Sequence, residues 1–387
     1  MHDAEIVRFL AQLLLILLSA KIFGEIAERL GQPSVLGELV GGVILGTGLI
    51  SFFKPNDPIL GLMSEVGIIL LLFETGIHSD LGQLLKAGPT SMAVATVGVA
   101  APFALGWGLM TALGKPGMEA VFVGAALTAT SVGITARVLS DMGKLSAPEA
   151  QIILGAAVID DVMGIVILSA VQGIALSGSL GWAAVGKTIL LSVGFLAAAL
   201  WLGPALSNAL VKIVHRMRVR GVLVGAAVCF AFSLALAARA LGTAMIVGAF
   251  TAGLLLARTD KKEDIDETIR PVVDVFAPVF FVMVGAKVDL AGFNPFIAAN
   301  RAMLGLAALL IIAAVVGKVV SALAVRDKGL NRWAVGFGMI PRGEVGLIFA
   351  QIGLASRIVE PALYAAVVAM VIVTTFVAPP LLKKSLS

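Results

Sequence analysis

Long apolar stretches recur along the chain, separated by short polar or Pro/Gly-rich breaks. A membrane-spanning helix needs about 20 mostly apolar residues, and marking such runs predicts about thirteen helices. They lie near residues 4–28, 34–53, 59–78, 90–113, 119–140, 147–173, 181–204, 219–240, 243–258, 270–287, 300–325, 331–355 and 361–382. Spans eight and nine are separated only by a tight turn at Gly242. The connections average about ten residues once the spans are placed, so no soluble regulatory domain is predicted anywhere in 1–387. The first span opens with Asp3 and Glu5 rather than a basic cluster and runs too long for a signal peptide, so it reads as a helix.

Composition narrows the class. The 387 residues are 59% hydrophobic and 13% charged, against roughly 25% charged in a soluble domain. Cys229 is the only cysteine, which excludes a disulfide scaffold. The apolar content excludes disorder. The net charge of +4 comes without a basic run beside a reading module, which argues against nucleic-acid binding. Gly336-x-Gly338 lacks a strand-turn-helix context, so no nucleotide partner is expected. The chain reads as an all-α polytopic membrane protein whose 43 glycines suit close helix packing in lipid.

Loop charge sets the expected orientation. Seventeen basic residues, including Arg137, Lys144, Arg270 and Lys383, fall on the face that carries the C-terminus, and six on the other. The positive-inside rule then puts the N-terminus outside and the C-terminus in the cytoplasm.

The chain also resembles itself. Leu30–Gly37 matches Leu241–Gly248, Leu71–Leu81 matches Phe280–Leu290, Val132-Gly-Ile134 matches Val345-Gly-Leu347, and Val158-Ile159 matches Val371-Ile372. Single matches between apolar segments arise by chance, but these four share an offset of about 209–213 residues. The partners are seven spans apart, an odd number, so the two copies cross the membrane in opposite senses. The expected units are a first inverted repeat at 34–173, linking helices at 181–240 and a second repeat at 243–382. Secondary transporters use this architecture, with the binding site at mid-membrane between the repeats.

Ionisable groups inside spans are costly and point to function. Asp160 and Asp161 lie near the middle of span six. Two adjacent carboxylates there need a cation or a positive partner to stay ionised. Neighbours on a helix point about 100° apart, so one suits an ion ligand and the other a pairing role. A purely structural pair is the plainer alternative. Lys318 in span eleven is the obvious partner, unless it snorkels to the surface. Spans five and twelve both carry helix breaks, Thr128–Thr135 and Gly338–Gly346. Pro341 removes a backbone donor there, and Arg342 and Glu344 are placed to balance half-helix dipoles. The repeat sets Ser131 opposite Glu344. Hydroxyls such as Thr130 and Ser131 more often simply bond back to the preceding turn. Asp160 and Asp161 align with Val373 and Thr374, which favours one asymmetric ion site. Glu38, Glu65, Glu74 and His78 are weaker candidates; His78 could respond to pH.

Thr130-Ser-Val-Gly-Ile-Thr-Ala-Arg137, Ile153–Asp161, Gly317-Lys318 and Pro341–Ile348 resemble the monovalent cation/proton antiporters, particularly bacterial electrogenic two-domain sodium/proton antiporters. The resemblance covers nearly the whole chain. It implies a core domain with two crossed broken helices, here spans five and twelve, and a dimerisation domain that includes span one. It further implies that Asp161 is the main carboxylate for transported Na⁺, that Asp160 pairs with Lys318, and that Thr130 and Ser131 line the site. The expected activity is exchange of Na⁺ or Li⁺ for H⁺ by alternating access, electrogenic, in a bacterial inner membrane, by a homodimer without cofactors or catalytic residues. A K⁺/H⁺ antiporter is the near alternative and a membrane-embedded enzyme the distant one. Glu74 and His78 stand where many relatives carry an apolar residue and a Glu, a departure that bears on ion choice and pH response.

Overall fold

The computed structural model describes the chain except for residues 1, 49–56, 80, 116, 178–181, 218, 220, 287–295, 297, 328, 343–345, 347–348, 351–352, 355–356 and 387. Among the described residues the long elements are helical, and eight helices are long and apolar enough to cross a membrane. In chain order the helices are α1 (His2–Arg29), α2 (Ser34–Val43), α3 (Pro58–His78), α4 (Leu81–Ala112), α5 (Met118–Ala126), α6 (Val132–Asp141) and α7 (Pro148–Ser177). They continue as α8 (Trp182–Arg216), α9 (Val222–Ala240), α10 (Met245–Leu256), α11 (Lys262–Ala286), α12 (Ala298–Val319), α13 (Arg332–Gly338) and α14 (Pro361–Leu386). Gly242, at φ +79°, makes the expected turn between α9 and α10.

Two helices outrun their apolar cores. The α8 helix continues to Arg216, and α11 begins at Lys262 rather than near residue 270. The first turns of α11 are polar but suited to a helix end. Glu263 and Asp264 stand at its positive terminus, and Arg270 pairs with Asp266 one turn earlier at 2.8 Å.

The helices pack in two groups. One joins α1, α2, α3, α9, α10 and α11; the other joins α4, α5, α7, α12, α13 and α14. Two helices touch both groups: α6 meets α2 and α3 on one side and α7 and α14 on the other, and α8 meets α9 and α10 on one side and α7 on the other. Apolar side chains cover the outside as well as the core. Leu10, Leu14, Leu18 and Ile22 are exposed on α1, and Leu190, Trp201 and Leu206 on α8. Such a surface has its favourable solvent in hydrocarbon rather than water.

Within the first group, backbones meet at paired glycines. Gly76 of α3 lies against Gly253 of α10, and Gly42 of α2 against Gly285 of α11, with no room for a Cβ at any of the four. Gly42 and Gly253, like Gly76 and Gly285, are counterparts at the repeat offset.

Candidate functional site

The site begins with two interrupted helices. The first helix of the pair ends at Ala126 and restarts at Val132 as α6. The Thr128 hydroxyl donates to the Ala125 carbonyl at 2.8 Å, bonding back within the turn where the helix stops. The second interruption follows α13, whose last helical residue is Gly338. Pro341 has no N–H to offer, and its carbonyl is left for another donor.

The two breaks supply each other's missing partners. The Ser131 N–H donates to the Pro341 carbonyl at 2.8 Å. The Thr135 hydroxyl donates to the Gly338 carbonyl at 2.7 Å, and the Thr130 hydroxyl to Met339 at 3.4 Å. Thr130 and Ser131 are both buried. Both belong to the contact between the breaks, Ser131 through its backbone N–H and Thr130 through a hydroxyl that bonds across to the other break rather than back along its own helix.

Arg342 is fully buried. Its Nη1 donates to the carbonyls of Ala129 at 2.9 Å and Thr128 at 3.4 Å, and its Nη2 to Ala314 of α12 at 3.0 Å. A cation so placed satisfies carbonyls left over where α5 ends and opposes the negative end of its dipole. The Arg342 carbonyl in turn accepts from the Thr375 hydroxyl of α14 at 2.9 Å. Glu344, its expected companion, lies outside the described residues.

Beside the crossing runs α7, unbroken, with Asp160 and Asp161 both buried. Lys318 Nζ donates to Asp160 Oδ2 at 2.8 Å, and neither side chain has any exposure. Lys318 does not snorkel. One residue before it, Gly317 presses its backbone onto Pro102 of α4, where a Cβ would not fit. Beyond it α12 tightens into a 3₁₀ turn at Val320–Ala324, with the Ser321 hydroxyl on the Lys318 carbonyl at 2.6 Å. A buried pair is costly to break from one side only. Asp161, one residue on, is 4% exposed and points to a different sector of the helix. Thr374, its counterpart in the repeat, bonds back to Met370 and Val371 on α14.

The profile of the family described as sodium/hydrogen exchanger, transmembrane, matches residues 14–386. The chain belongs to that family. It is 44% identical to the high-affinity Na⁺/H⁺ antiporter NhaS3 of Synechocystis, over 97% of this chain and 89% of the relative. It is 36% identical to the Na⁺/H⁺-K⁺ antiporter GerN of Bacillus cereus, over 97% and 95%. The fold is that of the sodium proton antiporter MjNhaP1 of Methanocaldococcus jannaschii, with a TM-score of 0.68 across 98% of this chain and 97% of that one, at 19% identity. Family membership and apolar helices together make it an integral membrane transporter.

Some residues of the arrangement escape a reading of the sequence. Thr135 bridges the two breaks and Thr375 ties the second break to α14, but both resemble any other membrane hydroxyl in a sequence. Arg137 counts as a loop cation by position, yet it lies in α6 with its side chain 12% exposed. Its Nε sits 3.1 Å from Asp141 and its Nη2 3.4 Å from Glu38 of α2. The i, i+4 spacing of Arg137 and Asp141 was the available signal.

Proposed function

We propose that this protein exchanges Na⁺ or Li⁺ for H⁺ across a bacterial inner membrane by alternating access. The observation that carries the reading is the fully buried Lys318–Asp160 pair next to Asp161, at the crossing of two broken helices. Asp161 is the carboxylate for the transported cation. A proton and Na⁺ compete for it, and competition alone couples opposed fluxes without both being bound together. When Na⁺ enters, Asp160 turns from Lys318 toward the ion, and the lysine, left in a low-dielectric site, gives up its proton. About two protons then move against one Na⁺ in each cycle, so exchange is electrogenic.

The paired glycines at matching positions support an inverted repeat across 34–173 and 243–382, with 181–240 as the link. The two packing groups suit a core that moves against a frame. The exposed apolar stripe of α1 suits a homodimer contact in the bilayer, and the loop-charge asymmetry supports an outside N-terminus and a cytoplasmic C-terminus.

The test is cation-driven proton flux in proteoliposomes, comparing Na⁺, Li⁺ and K⁺ across pH. Flux driven by Na⁺ and Li⁺ that responds to membrane potential is the expected result. GerN's description as a Na⁺/H⁺-K⁺ antiporter gives K⁺ its place in the comparison. Flux driven by K⁺ alone, or none with any cation, overturns the proposal.

A further inference from the structure

On the face where α14 ends, a cavity of about 400 Å³ opens between α3, α6, the α6–α7 connection and α11. Glu74, His78, Arg137, Asp141, Arg270 and Asp274 contribute to its charged wall. Lys144 donates to the Leu386 carbonyl and the Ser146 hydroxyl to that of His78, which places the cavity beside the C-terminal end of α14. None of these groups takes part in the Asp160–Lys318 centre.

Glu74 and His78 lie one turn apart on α3, so their side chains share a face. Asp266 approaches from α11. One ligand atom from each of the three falls within 4.8 Å of the others. The imidazole is already oriented. Its Nδ1 stands 3.1 Å from the Glu74 carbonyl oxygen, which can only accept, so Nδ1 carries the hydrogen. Nε2 faces Asp266 Oδ2 at 3.3 Å. A separation of that size suits two ligands of one tetrahedral metal ion bound at about 2.0–2.2 Å. A ligating histidine whose other nitrogen is tied to a carbonyl is the usual arrangement at metal centres.

The carboxylates are also under-used. Glu74 has a side chain only 9% exposed, and its nearest cation, Arg270 Nε, is 3.8 Å away, beyond hydrogen-bond reach. Asp266 Oδ1 is buried and accepts no hydrogen bond among the described residues. Arg270 Nη2 bonds Asp266 Oδ2 at 2.8 Å and its side chain is 56% exposed, so a metal cation at this position displaces that guanidinium toward water.

We propose that Glu74, His78 and Asp266 form a binding site for a divalent transition-metal cation. One imidazole nitrogen and two carboxylate oxygens suit Zn²⁺, which binds such atoms at about 2.0–2.2 Å. Small rotations of the two carboxylates close a three-ligand shell, with water as the fourth ligand. Mg²⁺ is a poor occupant, because it prefers an all-oxygen octahedron and keeps its own water.

The test is calorimetric titration of the purified, chelator-stripped full-length protein with Zn²⁺ and, separately, Mg²⁺ at neutral pH. One Zn²⁺ per chain is expected, with no comparable Mg²⁺ binding. His78→Gln and Asp266→Asn are each expected to weaken Zn²⁺ binding at least tenfold. The metal-free melting temperatures of these variants report whether they fold. The chain has only three histidines, so binding at another one would survive His78→Gln. Absence of Zn²⁺ binding by the wild type, or folded variants that bind it as well as the wild type, overturns the proposal.

Discussion

Lys318 and Asp160, 158 residues apart in the chain, meet at 2.8 Å in a place that excludes solvent from both side chains. Removing either partner strands a charge, and a stranded buried charge costs about 3–5 kcal/mol. Lys318→Gln is therefore expected to lower the melting temperature of the detergent-solubilised protein markedly. Asp160→Asn added to it should restore most of the loss. On the proposed function, Lys318→Gln also removes the response of exchange to membrane potential; an unchanged response would give the lysine a structural role alone.

Asp161→Asn keeps the shape of the side chain and removes its charge. Proton flux in proteoliposomes should vanish while the melting curve stays near that of the parent. Normal Na⁺-driven flux in this variant would remove Asp161 from the ion site.

Arg342 satisfies three carbonyls from two other segments. Arg342→Lys retains the charge but cannot span Ala129 and Ala314 together. Hydrogen bonds to charged groups contribute about 1.5–3 kcal/mol each, so a substantial fall in thermal stability is expected despite the conserved charge.

Gly253→Ala sets a methyl group against the α3 backbone at Phe73 and Gly76. Neither backbone can yield cheaply, and overpacking of this kind costs about 1–3 kcal/mol. Gly108→Ala, where nothing lies within 4 Å of the added Cβ, is the control and should fold normally. Thermal unfolding of the two variants side by side checks the contrast.

Lys115 joins the α4–α5 connection to Glu360, just before α14, at 2.8 Å. That hydrogen bond holds the Lys115 ammonium above its usual range. A lysine raised in this way contributes its stability in full at neutral pH and loses it as alkaline pH passes the folded-state value. The pair is well exposed and so contributes little, under about 1 kcal/mol. Lys115→Gln should shift the melting temperature only slightly at pH 7, and less still in strong alkali.

The sequence made the charged centre easy to find because charge inside an apolar run stands out. Asp160, Asp161 and Lys318 could hardly be missed, and the pairing followed from electrostatics. The breaks were marked by Pro341 and by clustered hydroxyls. Which hydroxyl does what was not legible. Thr128 bonds back within its turn while Thr135, seven residues on, reaches across to Gly338. That difference depends on which face of α6 meets the other break, a relationship between distant segments. Arg137 misled for a related reason: an arginine near a span end looks the same whether it reaches water or turns inward to Glu38. The early start of α11 was hidden because its Lys262–Arg270 segment is polar, and helical ion pairing beyond the apolar core leaves no hydropathy signal.

Arg342 touches the Ala129 carbonyl in the first break and the Ala314 carbonyl on α12, while its own carbonyl holds Thr375 of α14. Ala314 lies one helical turn before Lys318. The guanidinium thus works as a rivet through the crossing. Pulling either break away from α12 would therefore leave a buried guanidinium without its carbonyl partners, so the breaks and the lysine's helix are held as one unit.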